Sequence, residues 1–392
     1  MKRLLFCLLS YSCGMPFFAS GQPIRTALLA PPAPVSSPGQ PHAASYSLRI
    51  TNDSLLKNYT NITLRWQFLV NGLVRQQGSS PGLTLLPGHP RMLHLPLKPP
   101  APGEESYIKV EYRNPSRNIA AQTLPMTPWG GDIRIPATGE LSFADSNNIF
   151  TVSSPTLQLS FDKESGWLLQ YTVMGQTLLA DSNGLRPALP APPHLQLFST
   201  STGSQMVIVR TEYTVPELSC LLHLSYTVNS NGTLLVESTL ETDTTHQDSV
   251  LHPIDRFGMD WTLPPGADSL IWFGLPGATT PGAPATPPAA DTIPSIHKEK
   301  LPAVETLPVA EKLPAAAIAK NVRWCDIHDS AGKGFHLTTD CNLLQLHISS
   351  LRTILNIDSD LPPHPALPIH FQYRFKVTPL ITPLPHRAAK PI

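Results

Sequence analysis

Ile62-Thr63-Leu64-Arg65-Trp66-Gln67-Phe68-Leu69-Val70 alternates apolar with mostly polar side chains across nine residues. Neighbouring side chains on a strand point to opposite faces, so this run reads as a half-buried strand with one apolar face. Asn71-Gly72 follows at once, the dipeptide best suited to a tight hairpin turn. Tyr46-Ser47-Leu48-Arg49-Ile50 upstream keeps the same period, as do Leu83-Thr84-Leu85, Arg91-Met92-Leu93-His94-Leu95 and Tyr107 to Tyr112 downstream. Six or seven short strands in about 80 residues, with turn residues between them, predict a β-sandwich over residues 43–140.

The pattern resumes near Asn148. Ile149 to Val152, Leu157 to Phe161 and Trp167 to Val173 read as strands, joined by turns such as Asp162-Lys163-Glu164-Ser165-Gly166. Met206 to Arg210, Leu221 to Val228 and Leu234 to Ser238 follow, the last two joined through Asn231-Gly232. Consecutive strands without intervening helices predict a large antiparallel sheet sandwich over 147–380 rather than βαβ units. Residues 275–318 interrupt it with nine prolines and many alanines. Their composition predicts an extended, disordered insertion. Residues 22–42, rich in Pro, Ala and Ser, read as a flexible leader.

Composition narrows the class. Proline makes up 44 of 392 residues, and only 14% are charged where about 25% is usual. Dense prolines break long helices, which argues against a helical bundle or a doubly wound enzyme. Twenty-eight basic side chains balance 28 acidic ones, so there is no basic footprint for nucleic acid. Met1-Lys2-Arg3, the apolar run Leu4 to Phe18 and Ala19-Ser20-Gly21 read as a signal peptide over 1–21. Export to a bacterial periplasm or cell surface is therefore expected. Lipidation at Cys13 is not, because Leu9 to Ser12 is a poor context for it. No later segment is apolar for 18 residues, so no transmembrane helix is expected after the signal is removed. Cys220, Cys325 and Cys341 remain, three thiols that allow one bridge at most. Cys325 and Cys341 flank a turn-like Ser330 to Gly334 and would be bridged if they lie on neighbouring strands; otherwise all three are buried thiols. No zinc spacing, P-loop or G-x-G-x-x-G occurs, so no metal or cofactor is expected.

Several strings in their order resemble the back half of bacterial β-galactosidases of glycoside hydrolase family 2. Leu64-Arg65-Trp66-Gln67-Phe68 with Val70-Asn71-Gly72 resembles the central hairpin of that family's immunoglobulin-like sandwich. Phe161 to Leu168 resembles the opening strand pair of its last domain. Arg256-Phe257-Gly258-Met259 and Ile271-Trp272-Phe273-Gly274 resemble that domain's middle. Arg323-Trp324-Cys325 and Leu355-Asn356-Ile357-Asp358 resemble its end. The resemblance implies an all-β chain: an immunoglobulin-like β-sandwich, then a large antiparallel β-supersandwich of galactose-mutarotase type. It also implies that the family's barrel, with its acid/base and nucleophile glutamates, has no counterpart here. Three loops that face sugar in the family are rewritten, among them Arg186 to Pro193 and Ser359 to Pro363. The implied role is a non-catalytic carbohydrate-binding or assembly module. The alternatives are an accessory subunit of a split β-galactosidase and a plain structural interaction protein. Implied partners are a β-galactoside, a barrel-bearing glycosidase chain, or further copies in a homo-oligomer.

Several side chains are candidates for a site on their chemistry. Asp358 and Asp360, two apart on a strand, would share a face and form a coupled acid pair; the expected alternative has Asp358 ending a strand and Asp360 solvated. Glu237 and Glu241 lie in a β-run with no histidine at a matching spacing. Asp326, His328 and Asp329 gather near a turn, where exposed polar roles are the commoner outcome. Sugar C–H faces stack on aromatic rings, which makes Trp129, Trp261 and Trp272 candidate platforms, against a plain packing role for each. Trp66 and Trp167 are expected in the core.

Overall fold

The computed structural model describes residues 23–29, 46–179, 184–242, 254, 256–264, 266–276, 294–301, 317–340, 344–349, 354–359 and 369–381. The expected signal peptide, Cys341 and Asp360 lie outside them. The described chain is almost entirely antiparallel β-structure, and none of its helices is long and apolar enough to cross a membrane.

Seven strands build the first unit: β1 (Ile24–Leu29), β2 (Tyr46–Asn52), β3 (Tyr59–Val70), β4 (Leu73–Leu85), β5 (Arg91–Leu95), β6 (Ser106–Asn114) and β7 (Arg117–Thr127). They form two sheets, β1-β2-β5 and β4-β3-β6-β7. Leu48 and Ile50 from the first sheet meet Leu64, Phe68, Val70, Ile108, Val110 and Tyr112 from the second in one buried core. The β3–β4 turn has φ of 47° at Asn71 and 78° at Gly72. A type I′ hairpin demands positive φ at both positions, which is why Asn-Gly marks it. Strand β1 corrects the expected leader over 22–42. Ile24 is buried and Thr26 nearly so, and the six residues pair with β2 in continuous register from Ile24↔Asn52 to Leu29↔Ser47.

The larger unit opens with β8 (Ser142–Asp145), β9 (Ile149–Ser154), β10 (Leu157–Asp162), β11 (Leu168–Val173) and β12 (Gln176–Leu179). Then come β13 (Leu185–Ala188) and four long strands, β14 (His194–Thr202), β15 (Met206–Val215), β16 (Cys220–Asn229) and β17 (Leu234–Thr242). The next strands are β18 (Gly258–Thr262), β19 (Ser269–Pro276), β20 (Ser295–Lys300) and β21 (Ala317–His328). The unit ends with β22 (Gly334–Thr339), β23 (Leu344–Ser349), β24 (Ile354–Ser359) and β25 (His370–Leu380). Hydrogen bonds link them into a single ring-closed sheet. Its interior holds Trp261, stacked on Phe335 at 4.6 Å with Tyr171 at 6.0 Å, and in the same core Tyr226 packs on Phe161 and Tyr373 on Phe257. Strand β20 corrects the expectation that 275–318 is structureless throughout. Ser295 to Lys300 pairs with β19, with Phe273 opposite Ile296 and Trp272 opposite His297. An apolar partner strand supplied what six mostly polar residues could not signal alone.

The two units meet over a buried ion pair. Arg323 donates from Nε and Nη2 to the two carboxylate oxygens of Glu105, at 2.7 and 2.8 Å. Both side chains are less than one-tenth exposed. The Phe273 ring lies 5.6 Å from the Arg323 guanidinium carbon, and the phenol of Tyr107 donates to Glu105. A desolvated bidentate pair of this kind fixes orientation more than it adds net stability.

The buried phenols make a pH prediction. Burial, the main cause, pushes Tyr213 up to about 12 and raises Tyr112, Tyr171, Tyr226 and Tyr373 as well. Unfolded tyrosine titrates near 10, so above that pH the unfolded chain releases protons that the folded chain keeps. The stabilisation is complete below about pH 10 and is lost as pH rises through 12. Alkaline titration of phenolate absorbance should show these groups ionising together with cooperative loss of the near-ultraviolet dichroism. Ionisation well before unfolding would contradict the packing.

Candidate functional site

Three strings separated by up to 170 residues become adjacent strands. β13 pairs with β18, setting Arg186 opposite Asp260, and β18 pairs with β24, setting Asp260 opposite Asn356 and Gly258 opposite Asp358. On one face Leu185, Met259, Trp261, Leu355 and Ile357 enter the core. Strand alternation turns Arg186, Asp260, Asn356 and Asp358 to the other face.

There the side chains form a network. Arg256, two residues before β18, donates from Nη2 to Asp260 Oδ1 at 2.6 Å and from Nε to Asp358 Oδ1 at 2.9 Å. Asn356 Nδ2 donates to Asp260 Oδ1 at 2.6 Å, and Arg186 Nη2 reaches Asp260 Oδ2 at 3.4 Å. The carboxylates are sunk, with side-chain exposures of 14% for Asp260 and 11% for Asp358, while Arg186 and Arg256 keep about a third of their surface. Burial alone would lower Arg256, but the two carboxylates and their hydrogen bonds outweigh it and hold the guanidinium above its ordinary value. Gly258 makes the fit possible: a Cβ there would stand 2.2 Å from Asp358 Oδ1 and 2.3 Å from the Ile357 carbonyl oxygen.

This arrangement does not resemble a pair poised for glycoside cleavage. Such a pair needs two carboxyl groups facing a substrate, one of them holding a proton to give. Here one arginine bridges both. What the face offers is guanidinium donors beside carboxylate and amide acceptors, a set suited to adjacent hydroxyl groups.

Of the five candidate binding residues, only Asp358 belongs to this cluster; Asp360 lies outside the described residues, and Trp261 is no exposed platform but is fully buried, its Nε1 donating to the Leu178 carbonyl. Trp129 is half-buried at the junction of the units, its Nε1 donating to the Thr339 carbonyl at 3.2 Å and its ring edge-on to Phe273. Trp272 is 4% exposed, part of the core, and stacks on His297 at 5.0 Å. Cys325 is a buried free thiol; Cys341 lies outside the described residues. Burial, with Asp326 nearby, raises the Cys325 thiol well above its ordinary value.

The Asp326 group disperses. Asp326 pairs with His336 at 2.6 Å, His328 faces the Asp329 carbonyl oxygen, and Asp329 caps its turn through the amides of Ala331 and Lys333. Glu241 does find histidines across its neighbouring strands, His223 at 3.3 Å and His370 at 3.7 Å, on an open face. Among the described residues no three His, Cys, Asp or Glu side chains gather as metal ligands. Sequence reasoning missed Arg186, Arg256, Asp260 and Asn356 as site residues. The strings containing Arg186, Arg256 and Asn356 carry the family resemblance, but strand adjacency is not written in them.

No curated protein matches the sequence. Among solved structures, a TPR-domain containing protein from Parabacteroides distasonis aligns at 11% identity and a TM-score of 0.40, over 72% of this chain and 52% of that one. A cycloalternan-forming enzyme from Listeria monocytogenes, in complex with a pentasaccharide substrate, aligns at 12% identity and a TM-score of 0.18, over 92% of this chain and 30% of that one. This chain thus spans about half of the first structure's length and less than a third of the second's. Residues 153–278 match the family model described as Beta galactosidase small chain. That stretch holds Arg186, Arg256 and Asp260, so two of the three strands carrying the polar cluster belong to a region related to the β-galactosidase small chain.

Proposed function

We propose that this protein is an exported, non-catalytic relative of the C-terminal region of family 2 β-galactosidases that binds a terminal β-galactoside on the β13-β18-β24 face. One observation carries the reading: Arg256 engages Asp260 and Asp358 together, which leaves a hydrogen-bonding surface in place of an acid/base pair. Arg186 and Arg256 donate to neighbouring sugar hydroxyls, while Asp260, Asn356 and Asp358 hold the guanidinium groups in position. Ordering the donors beforehand lowers the entropic cost of binding. The exported location rests on the signal-like residues 1–21.

Calorimetric titration with galactose and lactose tests it. Binding should weaken about tenfold in Asp260→Asn, the equivalent of one charge-assisted hydrogen bond. Purified protein should not turn over a chromogenic β-galactoside. Turnover abolished by Asp358→Asn would overturn the non-catalytic reading, and wild-type protein that binds neither sugar would overturn the binding one. The family model's description as a small chain favours a second reading, an accessory subunit of a split β-galactosidase. In that case hydrolysis appears only when a barrel-bearing chain is added.

A further inference from the structure

The outer face of the sandwich carries a groove that the galactoside site does not use. In the registers of β3 with β4 and β6, Arg65 stands opposite Ser79 and Glu111, and Gln67 opposite Gln77 and Lys109. On β3 and β6 these positions alternate with the buried Leu64, Phe68, Ile108 and Val110, so their side chains face away from the core. Together the six residues line a cavity of about 550 Å³. A second hollow of about 410 Å³ continues from it, sharing Gln67 and Lys109, and reaches Pro294 and Ser295 of the larger unit. The groove therefore runs along the sheet to the junction of the two units, a common location for ligand sites. The Glu105–Arg323 pair bridges that junction.

The lining selects a class of ligand. Two amides stand 3.5 Å apart at Gln67 and Gln77, and Lys109 lies 3.5 Å from Glu111. Arg65 makes no ion pair among the described residues. An apolar molecule would strip water from six polar side chains without replacing it. A nucleic acid calls for a larger excess of cations than two against one. Peptides bind sheet edges through their backbone, whereas this is a sheet face. A sugar chain matches: each pyranose ring presents neighbouring hydroxyls to paired donors and acceptors, and outward residues two apart, about 7 Å along the strand, repeat those pairs along β3.

We propose that this groove binds a linear oligosaccharide lying along β3, held by Arg65, Gln67, Gln77 and Lys109. The site does not depend on galactose binding to the larger unit, and the two are separated by using a chain and a monosaccharide as probes. Full-length protein would be titrated with xylotetraose and cellotetraose, neither of which ends in a galactose, and separately with galactose. The expected result is that at least one tetraose binds, and that Gln67→Ala with Gln77→Ala weakens it about tenfold, the loss of two hydrogen bonds, with galactose affinity unchanged. Arg65→Ala and Lys109→Met, outward-facing changes that keep the fold, should each weaken the tetraose as well. Tetraose affinity unaltered by all three variants would overturn the groove, as would wild-type protein that binds neither tetraose. A failure of galactose alone to bind would count only against the site on β13, β18 and β24.

Discussion

Arg323→Ala is expected to cost about 3–5 kcal/mol, because it leaves the Glu105 carboxylate buried without its cation. Glu105 and Arg323 are both less than one-tenth exposed, so screening by solvent does little to soften the loss. The effect reaches beyond local stability. Arg323 is on β21 of the larger unit and Glu105 precedes β6 of the sandwich, so their pair is an interunit bond. In wild-type protein the two units should melt together. In Arg323→Ala the sandwich and the larger unit should separate into two calorimetric transitions, since the bidentate bond across their junction is lost. Replacing both partners, Glu105→Met with Arg323→Met, removes the charges and their desolvation together and should fall much closer to wild type. A single-variant loss under about 1 kcal/mol would mean that the pair is hydrated in solution, as exposed pairs are.

That bond shows where sequence reading stops. The alternation in Ile62 to Val70, with Asn71-Gly72 behind it, is local information, and local rules are enough to place β3 and its hairpin turn, though of the partner strand they mark only Leu83 to Leu85. Strand β1 was hidden because Ile24 to Leu29 is short and runs into the prolines after Ala30. Only the partner strand Tyr46 to Asn52 makes it a strand. Strand β20 was hidden for the same reason. The polar cluster was half visible: the strings holding Arg186, Arg256 and Asn356 carried the family resemblance. What joins them is pairing between β13, β18 and β24, which depends on how the whole sheet closes. Trp129, Trp261 and Trp272 are candidates for sugar stacking because tryptophan is rare and amphipathic, yet burial decides its use, and burial is a property of the assembled sheet. Glu105 and Arg323, 218 residues apart, bear no mark of each other in the sequence at all.

Gly258→Ala should be the most damaging small substitution at the polar cluster, at about 3 kcal/mol from overpacking. The new methyl would lie 2.2 Å from Asp358 Oδ1, 2.3 Å from the Ile357 carbonyl oxygen and 2.8 Å from the Asp358 Cα. Two of those three atoms are backbone of β24, so no rotamer change can relieve the clash, and β24 must shift away from β18. The shift pulls Asp358 from Arg256 and Asn356 from Asp260, so galactose affinity should fall together with stability. Asp358→Ala made in the Gly258→Ala background separates the causes. It removes the side-chain clash but leaves the two backbone ones, so stability should recover in part and galactose binding not at all. Asp358→Asn in an otherwise wild-type chain keeps the volume and loses the charge, and should weaken galactose while the melting temperature moves much less. If Gly258→Ala melts within about 0.5 kcal/mol of wild type, as an ordinary surface substitution does, then β18 and β24 do not pack as closely as described. The placement of Asp358 beneath Arg256, and the galactoside site built on it, would fall together.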